Sequence, residues 1–413
     1  MFKPHLKDHF GIMKIGIISQ SPSVTTGFGI VCGQIAYALA SANHEVVCFG
    51  IGAFGETFDR RKFPYRIWAV GEYNLVQAFS EFLQYEKIEA LLISLDILAV
   101  QYWVNVARAV GWDGSIIVYF VIDGLPIDSE YLEVLNTVQA KITATQVVAN
   151  YLKNLGFQDV IVAPHGVDSN IFKPLENRSE LRRKAGLDKK FLVGVFGRNN
   201  ERKQQPRVMA AISELKKSKG NDNILLYLHC QPRDIPSLGG WDLLAVAKEL
   251  KIEDSIIFPE SGFNQLTGTT TAPKSFSENQ NVDLPYMPSS YNYIQRINCC
   301  DLIINVSYCG GFELGIIEAQ ACGVPVAVTN DKSIMAEVAG NGAYMLEPID
   351  AGIWRTGAKQ FLVSPHTIAE TIARIKNDSA LKEELRHKGL SNASKFLWDK
   401  LHCAIIQAVQ SIQ

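Results

Sequence analysis

The run Tyr308-Cys-Gly-Gly-Phe-Glu-Leu-Gly-Ile-Ile-Glu-Ala-Gln-Ala-Cys-Gly-Val-Pro-Val326 places glycines, carboxylates and a proline in an order suited to holding a phosphorylated ligand. Gly310 and Gly311 let the backbone approach a ligand closely. The spacing predicts a short helix after them. Its first N–H groups point back at the glycine loop, where an anion such as phosphate is favoured. Glu318 falls inside that helix, and a carboxylate there can accept two ribose hydroxyls. Gly323 then ends the helix and Pro325 prevents its continuation. The plainer reading is a helix between two strands with a solvated Glu318, since a glycine loop in isolation is a weak signal.

A second set follows the strand-like run at 192–197. Arg198, Arg202 and Lys203 stand on a loop ahead of a helix. Arginine offers a fork of donors and lysine a point charge, and together they can neutralise a diphosphate. The alternative is a solvated basic loop. Near the N-terminus, residues 21–29 (Ser-Pro-Ser-Val-Thr-Thr-Gly-Phe-Gly) form a loop with Gly27, Gly29 and Thr26. A full Gly-x-Gly-x-x-Gly is missing, which weighs against a nicotinamide dinucleotide site. Asp123, in Tyr-Phe-Val-Ile-Asp-Gly-Leu-Pro at 119–126, closes another strand. It can deprotonate or position a hydroxyl, or merely start the turn before Gly124. His165, in Ala-Pro-His-Gly-Val-Asp at 163–168, is read as exposed enough to reach a ligand, although a structural role is the simpler assignment.

The elements that must carry these residues alternate in type. Strands are expected at 14–19, 44–49, 90–94, 115–121, 141–144 and 159–163. Helical spacing appears at 30–40, 100–110 and 146–155. The pattern restarts with strands at 192–197, 224–230, 256–258, 302–306 and 324–328, and helices at 205–217, 241–250, 291–298 and from 316. Residues from 367 onward read as helical. Strand–helix alternation implies parallel sheets covered on both faces. Two such sheets in series are expected, the join falling at 173–188, where Pro174 and a charged stretch interrupt the pattern. Residues 264–288, rich in Thr, Ser, Asn and Pro, read as a long loop.

Composition narrows the class. The chain has 413 residues, 47% hydrophobic and 20% charged, enough for two cores. A formal charge of −2 gives no global attraction to nucleic acid or anionic membrane. No apolar run reaches the length of a membrane span. The eight cysteines include no Cys-x-x-Cys pair, which fits free thiols in a reducing, cytoplasmic setting. Residues 1–12 read as a disordered leader, with Met13 a candidate natural start.

Taken together, these segments resemble the signature of the retaining nucleotide-sugar glycosyltransferases of family four, which have the GT-B fold. The family pattern runs Glu-Gly-Phe-Gly-Leu, then Glu-Ala, small residues, Gly, any residue and Pro-Val. Gly311, Phe312, Leu314, Glu318, Ala319, Ala321, Cys322, Gly323, Pro325 and Val326 match it. The family's first acid falls on Gly310, and Glu313 stands where the family has glycine. Residues 163–174 resemble the family's segment before the linker. The run Phe396-Leu-Trp398 resembles its last helix, and residues 260–263 its base-reading segment.

The resemblance implies an α/β protein with two Rossmann-like doubly wound parallel sheets facing across a cleft. Its divisions would be an acceptor-side domain at 13–172, a linker at 173–188 and a nucleotide-sugar domain at 189–375. Helices at 376–413 would cross back to the first domain. It implies Glu318 on the donor ribose and Arg198 with Lys203 on the diphosphate. Gly27, Gly29, Gly310, Gly311, Phe312 and Leu314 would line the donor, with Asp123 and Glu313 as catalytic candidates near sugar and acceptor. No metal and no cofactor beyond the nucleoside-diphosphate-sugar substrate are implied. Retention would proceed by departure and attack on one face, assisted by the leaving phosphate. The acceptor class stays open among glycan, protein, lipid-linked sugar and modified nucleobase. Two other readings remain: a nucleotide-sugar epimerase of the same fold, and a non-catalytic protein that binds nucleotide sugars.

Overall fold

A computed structural model describes residues 11–53, 58–71, 73–218, 220–234, 239–259, 262–263, 270–271, 287, 290–354 and 356–413. The leader expectation for 1–12 and the loop expectation for 264–288 fall almost wholly outside these residues, as do Glu260 and Ser261. The chain divides into two compact units. Residues 1–121, 129–164 and 398–413 form one, and residues 122–128 and 165–397 form the other.

The first unit is built on β1 (Lys14–Gln20), β2 (Glu45–Ile51), β3 (Arg66–Val70), β4 (Ala90–Asp96), β5 (Ser115–Val121), β6 (Ala140–Thr143) and β7 (Val160–Val162). Their order in the sheet is β3-β2-β1-β4-β5-β6-β7, and every described pairing is parallel. Central strands such as β1 and β4 are buried on both faces, which explains their unbroken apolar runs. Helices α1 (Gly27–Ser41), α2 (Leu75–Glu86), α3 (Ile97–Ala109) and α4 (Gln146–Asn154) cover the sheet. Phe49 meets Phe79, Phe82 and Trp103 at ring separations of 5.3–5.5 Å. Each such fully buried side chain contributes about 1.5–3 kcal/mol. β3 and α2 had no sequence expectation, because β3 is largely half-buried and lacks a clean alternation.

The second unit starts with α5 (Arg178–Lys184) and continues with β8 (Phe191–Phe196), α6 (Gln205–Lys216), β9 (Ile224–His229), α7 (Leu243–Glu249) and β10 (Ile256–Ile257). A short antiparallel pair, β11 (Gly262–Phe263) and β12 (Thr270–Thr271), precedes α8 (Tyr293–Cys299). Then come β13 (Leu302–Asn305), α9 (Leu314–Ala321), β14 (Val326–Thr329), α10 (Ile334–Ala339) and β15 (Ala343–Leu346). The parallel sheet runs β10-β9-β8-β13-β14-β15. A hairpin of β16 (Asp350–Ile353) and β17 (Lys359–Leu362) leads to α11 (Pro365–Asn377) and α12 (Ser379–Ala393). Val193, Val195, Leu226, Leu228, Ile304 and Ile372 lie in one buried core.

The divisions differ from the sequence reading in three places. Residues 173–188 are not a bare linker: α5 is fastened to the second unit. Arg178 Nε donates to Asn298 O at 2.7 Å, and its Nη2 meets Asp301 Oδ1 at 2.8 Å. Residues 122–128 leave the first unit and join the second. There Asp128 N donates to Thr356 O (3.0 Å) and Lys359 N to Leu125 O (3.3 Å). Of the C-terminal helices, α12 stays with the second unit, its Asn392 Nδ2 donating to Gln320 Oε1 of α9 at 2.9 Å. The last helix, α13 (Trp398–Gln410), belongs to the first unit. Leu401, Ala404, Ile405, Ala408 and Val409 make its buried stripe. His402 Nε2 lies 3.0 Å from Gln34 Oε1 of α1.

Candidate functional site

In the second sheet, β8 and β13 are neighbours although four strands separate them in sequence. Their connections leave in opposite directions. This is a topological switch point, where open parallel sheets bind ligands beyond the strand carboxyl ends. Both charged segments singled out from the sequence begin there. The basic loop follows β8, and the glycine loop with α9 follows β13.

At the end of β8, Gly197 adopts φ +145°, and a Cβ there would lie 3.3 Å from Lys203 Cε. The lysine stem therefore passes over a backbone bare enough to admit it. Asn200 Oδ1 accepts from Lys203 N (3.2 Å) and fixes the tight turn. Across from it, Glu313 occupies the N-cap position of α9 at φ +64°, without capping the helix with its side chain. Its carboxylate turns to the basic loop instead. Oε1 accepts from Arg202 Nη1 at 2.6 Å, and Oε2 is paired with Lys203 Nζ and accepts from Asn305 Nδ2 at 3.0 Å. Arg202 Nη1 also donates to Cys309 O at 2.6 Å, and its Nε lies 3.6 Å from Asp123 Oδ2.

Electrostatics follow from this packing. Burial pushes the Glu313 carboxyl up, but the charges of Lys203 and Arg202 outweigh it and hold the group well below the usual carboxylate range. Burial likewise opposes the Arg202 charge, and the Asp123 and Glu313 carboxylates more than offset that. Burial, helped by the neighbouring Arg202 charge, lowers the Lys203 pKa against the pull of the Glu313 carboxylate. Two basic and two acidic side chains share the cluster.

Glu318 lies five residues further along α9 and is 7% exposed. Burial raises its pKa to about 7, against the hydrogen bond that Tyr293 Oη donates to Oε2 at 2.9 Å. Tyr293 belongs to an aromatic wall with Phe196 and His229. The His229 ring lies 5.1 Å from Phe196 and 5.3 Å from Tyr293. Burial lowers the His229 pKa to about 3, so this ring is neutral.

Thus the structure brings Asp123, Lys203 and Glu313 together, with Arg202 between the two acids. Arg198 is turned elsewhere: its Nε donates to Asp234 Oδ2 at 2.8 Å. Gly310 and Gly311 are buried in the loop. Phe312 is not open to a ligand. It is 3% exposed and packs on His165 (4.4 Å) and Phe396 (5.7 Å). His165 itself is 6% exposed, which corrects the expectation of an accessible histidine, and burial lowers its pKa to about 3. Leu314 opens α9. In the first unit, Gly27 and Gly29 lie inside the first turn of α1 rather than in a loop before it. Thr26 caps that turn, its Oγ1 accepting from Gly29 N at 3.1 Å. A Cβ on Gly29 would meet Val24 O at 2.4 Å and Ser21 O at 2.7 Å. Asn305, Asp234 and Tyr293 were not found from the sequence. Each is brought in by tertiary structure from another element.

No family model matches the chain. It is 24% identical over 269 residues to the D-inositol 3-phosphate glycosyltransferase of Stackebrandtia nassauensis. The match covers 63% of this chain and 51% of that protein, so the chain spans about half the length of the curated relative it matches. Among solved structures, HepE of Anabaena in complex with UDP-glucose superposes with a TM-score of 0.67 at 15% identity, covering 97% of this chain and all of that one (100%). Sucrose-phosphate synthase from Thermosynechococcus elongatus gives 0.69 at 16% identity, covering 96% and 98%. These likenesses, with the two parallel sheets, establish the fold as GT-B.

Proposed function

We propose that the protein is a glycosyltransferase that takes its sugar from a nucleoside-diphosphate sugar. The observation that carries this reading is the switch-point site itself, where two cations after β8 face an acid-bearing loop and helix after β13. In this reading Glu318 accepts hydroxyls of the donor ribose, and the aromatic wall of Phe196, His229 and Tyr293 flanks it. Lys203 and Arg202 neutralise charge that develops on the leaving diphosphate, as cations aimed at a developing anion do. Arg198 joins them only by leaving Asp234. No metal is assigned a part. UDP-glucose is the first donor to test, because the HepE structure was solved with it. Family-four membership and transfer with retention extend the same reading, and they rest on the matched signature residues.

A thermal-shift screen of nucleoside diphosphates and their sugars tests the reading. A ligand at a hundred times its Kd should add about 2.7 kcal/mol of stability. Silence across the whole screen would sink it. One second reading has an observation in its favour: Gly310 stands where the family signature has an acid. A protein that binds the donor without turning it over would shift on UDP-glucose yet release glucose no faster than buffer.

A further inference from the structure

We infer that the Glu313 carboxylate is a resident counter-anion of the Arg202–Lys203 cradle, and that a ligand phosphate must displace it to engage those cations. This deepens the reading of the site as a nucleoside-diphosphate site and rests on it.

The carboxylate fills the cradle. Its side chain is 8% exposed, and those of Arg202 and Lys203 are 21% and 13% exposed. Both of its oxygens are engaged, one by Arg202 and the other by Lys203 and Asn305. Asp123 Oδ2 lies 3.6 Å from Arg202 Nε, so the two basic side chains already face two acidic ones before any anion arrives. An arriving phosphate would meet a neutralised site unless Glu313 moves out.

The neighbouring glycine fits the same account. A Cβ on Gly310 would stand 2.6 Å from both Cγ and Oε1 of Glu313. Position 310 is bare because the Glu313 side chain lies across it. A side chain at 310 therefore forces the Glu313 side chain to shift from its place in the cradle. Gly310 is not among the positive-φ glycines, so alanine is compatible with its backbone.

The test uses calorimetric titration of the full chain with inorganic pyrophosphate, UDP and uridine. Glu313→Gln removes the competing charge, whereas Gly310→Ala keeps every charge and displaces the carboxylate by contact. Each variant should bind pyrophosphate and UDP at least tenfold more tightly than the wild type, with uridine unchanged. The double variant should gain no more than the larger single gain, because both act on one contact. Unchanged or weaker pyrophosphate binding in either folded variant overturns the inference. If neither UDP nor uridine binds any of the proteins, the nucleotide reading fails, and the pyrophosphate arm still decides whether Glu313 competes for the cradle.

Discussion

The hydroxyl of Tyr293 and the carboxylate of Glu318 form a buried pair, the phenol donating across 2.9 Å to Oε2. Burial raises the Glu318 pKa from 4.5 to about 7, and the Tyr293 hydrogen bond works in the opposite direction. Between those two pH values the folded protein binds more protons at this group than the unfolded chain does. Stability of the ligand-free protein therefore falls as pH rises through this window. Glu318→Gln should flatten that slope, and Tyr293→Phe should extend it to higher pH. The full effect is of order 3 kcal/mol. Urea midpoints at half-unit pH steps read it, and a Glu318→Gln profile parallel to wild type would contradict it.

Lys203→Met should lower stability by about 3 kcal/mol. That is the low end of the range for breaking a buried pair, because Arg202 and Asn305 still hold Glu313. The same variant should lose most of any stabilisation by UDP while keeping its response to uridine. Urea unfolding with and without each compound separates the two effects.

Gly29→Ala is expected to destabilise the first unit whatever ligand is present. Its Cβ would fall on two carbonyl oxygens, Val24 O and Ser21 O, so the loop between β1 and α1 has to open. Thr26→Ala, which removes the cap and the hydrogen bond that Thr26 Oγ1 donates to Gln20 Oε1, should cost about 1 kcal/mol. Circular-dichroism melts should rank Gly29→Ala below Thr26→Ala.

Gly323 closes α9 at φ +68°, with Pro174 Cγ 3.1 Å from where a Cβ would sit. Gly323→Ala should cost about 1–2 kcal/mol from the left-handed backbone alone. Because α9 carries Glu318, UDP affinity should fall with it. Equal melting temperatures for variant and wild type would contradict this.

What the sequence made legible was local. Gly323 and Pro325 announce a helix end, and strand–helix alternation announces two parallel sheets. The loop after β8 and the helix after β13 each offered phosphate-binding residue types, and only the family resemblance joined them into one site. Distant pairings were out of reach. Asp234 claims Arg198 from 36 positions away, and Tyr293 reaches Glu318 from a different helix. Neither contact leaves a periodic trace. The β16–β17 hairpin was also unreadable, because β16 (Asp-Ala-Gly-Ile) is mostly exposed and gives no alternation of burial.

The placement of α13 bears on how the chain folds as it leaves the ribosome. The helix that packs on α1 is translated only after all of 165–397, so the first unit cannot complete its core until the second has emerged. Domains ordinarily mature in sequence from the N-terminus. Here α1 must wait with an apolar face uncovered, and Leu401, Ile405 and Val409 arrive last to close it. A nascent chain stalled before 398 should therefore be a client for chaperones, even with the nucleotide-side sheet already folded.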